Sequence, residues 1–211
     1  MSKHKKIALA LDHIAVAAAS LEEGIAYVQS ALGVQVPPGG SHPTMGTHNH
    51  LMALGPNLFL EVIAVDRNAP KPERPRWFAL DHFSGAPKVG TWVLSSDDIA
   101  ATLSMFPSFV GPAIPITRGN LSWLISVPED GSMPMDGTFP TLIEWPNGSP
   151  AGMMDDLGCR LRKLNVYHPD AADINDALSG MFTDDRVLIL PDANSKIIAE
   201  IETPNGIRIL S

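Results

Sequence analysis

The strongest constraint in this chain is a repeat. "HIAVAAAS", beginning at His13, and "TWVLSSDD", beginning at Thr91, are strand-like runs 78 residues apart that each end in Ser or Asp and lead into a helical pattern. After the first, Ser20 is placed to cap a helix, with Glu22 and Glu23 where the helix dipole favours acidic side chains. Leu21, Ile25, Val28 and Leu32 then fall at helical spacing, and Gly33 stops it. After the second run, Ile99, Leu103 and Phe106 form the corresponding stripe. "PPGGSHPTMG" reads as a loop, and "THNHLMAL" and "NLFLEVIAV" as a hairpin around "GPN". "LSWLISV" and "GTFPTLIEWP" are the strands of the second unit. A third start follows at "LRKLNVYHPDAADINDALSGMF", and "DRVLIL" and "KIIAEIETPNGIRIL" close the chain around the turn "TPNG".

A unit of this size has a sheet face that it cannot bury alone, so repeats must pack together. The expected fold is α+β: repeated strand-helix-strand modules forming a curved, partly closed, antiparallel-rich mixed sheet around a cavity. The modules span 8–66 and 88–150, joined by a proline-rich connector at 67–87, and a partial third module at 157–211 packs on the same domain.

The formal net charge of −8 argues against nucleic acid or an anionic membrane as the partner. The one cysteine, Cys159, forms no internal disulfide, so the fold does not depend on oxidation. The start "MSKHKKIALALDHIAVAAAS" imitates a leader peptide, but Asp12 and His13 interrupt the apolar run after five residues. A leader needs roughly 7–15 there, and no run approaches the ~18 apolar residues of a membrane helix, so the expectation is a cytoplasmic protein.

Chemistry must come from polar side chains on apolar strands. Alternation groups His13 with Leu11, Ala15 and Ala17, and Glu61 with Phe59 and Ile63. Glu144 groups with Leu142, against Ile143 and Trp145. A buried, unpartnered carboxylate costs several kcal/mol, so each glutamate needs compensation. A divalent ion (Zn, Mn, Fe, Ni or Co) held by His13, Glu61 and Glu144 would supply it. Arginine partners, backbone donors or a solvent-exposed face would do the same.

The motifs "LDHIAVAAASLEEGIAYV", "GTHNHLMALG", "LFLEVIA", "RWFALDHF", "TLIEWP" and "HPD" at residues 168–170, in this order, resemble the vicinal oxygen chelate superfamily. That superfamily includes glyoxalase I, extradiol dioxygenases and bleomycin-resistance proteins, and the closest resemblance is to its glyoxalase-like domain proteins. It implies metal ligands on the first and last strands of each module: His13 and Glu61 in the first, Glu144 in the second. The fourth position falls on Thr91, a poor ligand, which leaves either an open three-ligand site or a cavity that has given up metal.

With metal, the resemblance implies a small-molecule lyase, isomerase or dioxygenase in which a substrate with adjacent oxygens is polarised and a nearby base moves a proton. His50 and His48 are base candidates, and Asn49, on the opposite face, is placed to orient a substrate oxygen. Trp77, Trp92 and Trp123 are candidate cavity walls, and Arg76 a candidate for an anionic group. Without metal, the reading is a binding or sequestration protein of the bleomycin-resistance kind. No phosphate loop, HExxH helix or nucleophile elbow occurs, so no nucleotide cofactor is expected. The expected partner is a small molecule, in a chain inclined to homodimerise.

Overall fold

The structure, a computed structural model, describes residues 7–211; the basic stretch 1–6, the front of the leader-like start, lies outside them. The first module runs β1 (Leu9–Ala17), α1 (Leu21–Leu32), β2 (Pro38–His42), β3 (Thr47–Gly55) and β4 (Leu58–Val65). The second runs β5 (Lys88–Ser96), α2 (Ile99–Leu103), β6 (Ala113–Arg118), β7 (Leu121–Ser126) and β8 (Thr141–Glu144). Together they form one eight-stranded mixed sheet in the order β2-β3-β4-β1-β5-β8-β7-β6. β1 and β5 pair antiparallel at its centre, and each module's last strand runs parallel to its first.

The helix starts follow from their caps. Ser20 accepts from the Glu23 amide and Asp98 from the Ala101 amide, each satisfying a donor that the first helical turn leaves free. Gly33 ends α1 in the left-handed conformation at φ 69°. α2 is much shorter than its apolar stripe suggested and stops before Phe106, ahead of Pro107.

The stretch "PPGGSHPTMG", expected as a loop, contains β2, an edge strand paired with β3. Its mate at the other edge is β6, whose Pro115 donates no amide hydrogen bond. Proline and glycine weakened the strand signal of both segments for the same physical reason that confines them to edges. The sheet curls so far that β2 and β6 approach each other.

The C-terminal unit, β9 (Arg160–His168), α3 (Ala171–Leu178), β10 (Val187–Pro191), β11 (Lys196–Thr203) and β12 (Gly206–Leu210), forms its own sheet in the order β10-β9-β11-β12. It shares the element order of the modules but not their connection: the strand after its helix, not the last strand, returns parallel beside the first. Leu164, Val166, Ile197 and Ile201 of this sheet join Val28 and Leu32 of α1 and Ile14, Leu60, Val62 and Trp92 of the large sheet in one core. The helix seats closely because residue 24 is glycine; a Cβ there would lie 2.6 Å from Cγ1 of Val62. Among the described residues no helix is long and apolar enough to cross a membrane.

Trp92 belongs to this outer core and not, as expected, to a cavity wall. It is fully buried, and its Nε1 donates to the Thr138 carbonyl at 2.8 Å. Trp92→Ala is expected to cost about 3–5 kcal/mol and Trp92→Phe, which leaves that carbonyl without its donor, about 1–3 kcal/mol. Urea denaturation monitored by circular dichroism checks both; equal losses would show that the packed volume of the ring contributes nothing beyond the hydrogen bond.

Candidate functional site

The inner face of the curved sheet is lined by a second, aromatic cluster that includes Trp77, Phe78, Trp123, Ile125 and Ile143. With His13, His42, Asn49, Phe59, Glu61, Arg118 and Trp145 they enclose a cavity of about 30 Å³. This is room for a few non-hydrogen atoms in the sheet's interior.

His13 reaches that cavity through a bulge. In the β1–β5 ladder Leu11 lies opposite Leu94 and His13 opposite Val93, so Asp12 is an extra residue. The bulge reverses the alternation: Leu11 packs in the outer core and does not share the face of His13, as plain alternation had suggested. Asp12 is used as well as inserted. Its Oδ1 accepts from His13 Nδ1 at 2.7 Å and its Oδ2 from Trp145 Nε1 at 3.0 Å. With Nδ1 carrying that proton, Nε2 turns to Glu61, 3.6 Å from Oε2. The imidazole stacks on Phe59 with centroids 4.5 Å apart.

Glu61 is 7% exposed, and its Oε1 accepts from Asn49 Nδ2 at 2.6 Å. The amide of Asn49 is oriented by two donors to its Oδ1, the Gly40 backbone at 2.9 Å and Arg118 Nη1 at 3.1 Å. Residue 39 must be glycine for β2 to come this close, since a Cβ would sit 2.2 Å from that oxygen. Arg118 Nη1 also meets His42 Nε2 at 3.3 Å, and His42 Nδ1 donates to Thr47 Oγ1 at 3.0 Å. One hydrogen-bonded chain therefore runs from the end of β6 through β2 and β3 to β4.

Of the candidate site residues, the structure brings His13, Glu61, Asn49, Trp77 and Trp123 together. It separates the others. Glu144 lies on the opposite face of β8, where its Oε2 accepts from the Ile99 amide at the start of α2. That bond supplies the compensation its carboxylate needs, without metal. His50 points away from the cavity and donates from Nδ1 to the Val36 carbonyl at 2.7 Å. His48 shares that face by alternation. Arg76 is a brace: Nη1 lies 2.5 Å from Asp81 and Nε donates to the Gly46 carbonyl, fixing the loop that carries Trp77. Beyond it, Phe78 and Ala79 adopt positive φ of 57° and 51°, a strained turn that presses Trp77 and Phe78 into the cavity wall.

The metal set expected from the resemblance does not assemble. The two modules superpose in register down to their bulges: Gly90 is the extra residue of β5 before Thr91, as Asp12 is of β1 before His13. In the parallel ladders Ala15 faces Glu61 and its counterpart Val93 faces Thr141. The counterparts of His13 and Glu61 are thus Thr91 and Thr141, neither a good ligand for a divalent ion. Among the described residues no three His, Cys, Asp or Glu side chains converge on a point. His13 and Glu61 thus face, among the described residues, no second pair of ligand side chains from the other module.

His42, Arg118, Trp145 and Asp12 were missed from sequence. The available signal was Pro115 within "AIPITRGN", which marks an edge strand ending at Arg118 beside a turn.

Burial, then the positive charges of Arg118 and His48, holds the pKa of His42 down from 6.5 to about 3. The native protein stays unprotonated there while the unfolded chain takes up a proton below pH 6.5. The contribution of His42 is therefore complete above pH 6.5 and falls as pH is lowered toward 3, by up to ~1.4 kcal/mol per pH unit. Relative to wild type, His42→Gln is expected to flatten the loss of stability between pH 6 and pH 4.5 by about that slope; parallel curves from urea titrations would refute it.

Comparison with known proteins agrees with this architecture. The glyoxalase-like domain family matches residues 11–182. A search of curated proteins found no match. Among solved structures, a hypothetical protein from Staphylococcus aureus is similar over 95% of this chain and 84% of its own, with a TM-score of 0.56 at 13% identity. Methylmalonyl-CoA epimerase from Mycobacterium tuberculosis covers 64% of this chain and 85% of its own, with a TM-score of 0.42 at 17% identity. At 13% identity the first of these likenesses speaks to the fold alone. The paired modules, the inward His13 and Glu61 and the match over most of the chain place it in the glyoxalase-like domain family of the vicinal oxygen chelate superfamily, whose members bind or transform small molecules.

Proposed function

We propose that the protein is a small-molecule enzyme in which the His13–Glu61 pair exchanges a proton with the substrate, without a metal bridging the two modules. The observation that carries this reading is the facing of two acceptors. His13 Nδ1 is committed to Asp12, so Nε2 and Glu61 Oε2 stand 3.6 Å apart inside a largely apolar enclosure. Such a pair needs a hydrogen between its members, on Nε2 or on a substrate group that enters there. A histidine oriented by a carboxylate through its other nitrogen is a suitable base.

The chemistry such a pair performs is proton abstraction beside a carbonyl. The C–H bond breaks, the proton goes to His13 Nε2, and the electron pair moves onto the carbonyl oxygen as an enolate. Return of the proton to either face completes an isomerisation; loss of a leaving group from the enolate completes an elimination. Asp12 holds the ring as it gains charge, and Phe59 keeps its plane fixed. The superfamily often uses divalent metals, but Thr91 and Thr141 stand where the second half of a ligand set would be, so no step is assigned to one. The size of the cavity, about 30 Å³, favours action on a small reactive head over sequestration of a bulky drug.

Proton NMR in deuterium oxide tests the reading with a panel of enolisable ketones, esters and oxo acids. Wild-type protein is expected to wash the α-proton out of at least one of them, and His13→Ala to reduce the rate by about 10²-fold or more. Asp12→Asn is expected to slow exchange with little change in substrate affinity. Exchange should survive treatment with a chelator. Its loss, restored by added metal, would overturn the metal-free reading, and no washout across the panel would overturn the enzymatic one.

A further inference from the structure

Arg118 is the cation of the site, and most of its hydrogen-bonding capacity is unused. Nη1 is held by Asn49 and His42, while Nε and Nη2 make no hydrogen bond to any described residue. Arg76, Arg160, Arg162 and Arg186 each have a carboxylate within ion-pair distance; Arg118, half-buried, has none among the described residues. That free edge faces the groove adjoining the cavity, where an anion can reach it.

Arg118, Leu51 and Pro150 line both the inner cavity and this groove, of about 310 Å³. That volume is in the range of small-molecule sites. The groove's surface is polar and apolar in about equal share; Leu121, Met153 and Met154 supply apolar side chains, and Met153 is 71% exposed although it is a large apolar side chain. The guanidinium thus sits at the junction of a largely apolar inner chamber, polar at His13, Asn49 and Glu61, and a wider outer groove of mixed character.

We propose that the substrate is a monocarboxylate with an extended apolar body. Its carboxylate is gripped by the free edge of Arg118, its body lies along Leu121, Met153 and Met154, and its reactive carbon points inward to His13. The planar fork of arginine matches a carboxylate with two parallel hydrogen bonds. The acidic neighbours narrow the class: Asp155 lines the groove and Glu61 the inner chamber, so a single negative charge is accepted where a phosphate ester or dicarboxylate is repelled. This rests on the reading of the cavity as a substrate site, but it concerns recognition and not proton transfer.

Isothermal titration of the full chain with octanoate and with octanamide, equal in length and differing in charge, decides it. Wild-type protein is expected to bind octanoate roughly tenfold or more tightly than octanamide. Arg118→Gln should abolish that preference, and Met153→Asp should weaken both. Equal affinity for the two probes, binding of neither, or an undiminished preference in Arg118→Gln would overturn the proposal. The wild-type comparison stands even if the variant misfolds. Selective octanoate binding in a protein that exchanges no α-proton would leave the anion site standing and remove only the enzymatic reading.

Discussion

The molecule depends on the antiparallel ladder between β1 and β5. It joins the two modules into one sheet, and its two bulges decide which side chains enter the cavity. Without the extra Asp12, the register that puts Leu11 opposite Leu94 would put His13 opposite Trp92, in the outer core. One inserted residue moves the imidazole to the other face, as a period of two requires. The same device precedes Thr91, where the inserted residue is Gly90, so the repeat extends to the irregularities of its strands. At Gly90 a Cβ would come within 3.2 Å of Ala17 Cβ, whereas at position 12 the inserted side chain became the partner of His13.

Closing the sheet and compensating Glu61 are one problem with one solution. A carboxylate 7% exposed beside Phe59 and Ile63 would be expelled or neutralised if it stood alone. Asn49 gives it a hydrogen bond from the neighbouring strand, and Asn49 is in turn oriented by Gly40 of one edge strand and Arg118 of the other. The same bonds satisfy the carboxylate and tie β2 to β6 across the mouth of the curled sheet. The unpaired donors that edge strands normally present to solvent are here partly covered by their approach to each other.

The element order, the repeat offset and the sharing of faces were legible in the sequence. Glu61 does share its face with Phe59, Asn49 does oppose His48 and His50, and Glu144 does oppose Ile143 and Trp145. Alternation says which residues travel together; it does not say which group turns inward. At β8 the cavity takes Ile143 and Trp145, so Glu144 lands beside α2, and at β3 it takes Asn49, so His50 lands beside Val36. Trp92 failed for the same reason. Arg118 failed for another: its strand contains Pro115 and lies at an edge, where the periodic signal is weakest. The bulge at Asp12 has no signature in a single chain, because an inserted residue looks like any other until its partner strand is known.

The repeat that builds the scaffold is symmetric, and the chemistry placed on it is not. Every ionisable group facing His13 across the cavity from a strand of the first module, Glu61 and His42, has an uncharged or apolar counterpart in the second, where Trp123, Ile125, Ile143 and Trp145 form the wall. A site symmetric in ligands would bind a metal at the centre and present the same chemistry to either end of a substrate. Here the first module offers proton acceptors and the second offers aromatic surface, so a molecule with one polar end has one favourable orientation. Arg118 is the second module's only charged contribution to the cavity wall, and it stands at the rim. With Thr91 and Thr141 at the positions equivalent to His13 and Glu61, the repeat encloses a cavity whose ionisable groups come from one module and whose aromatic wall comes from the other.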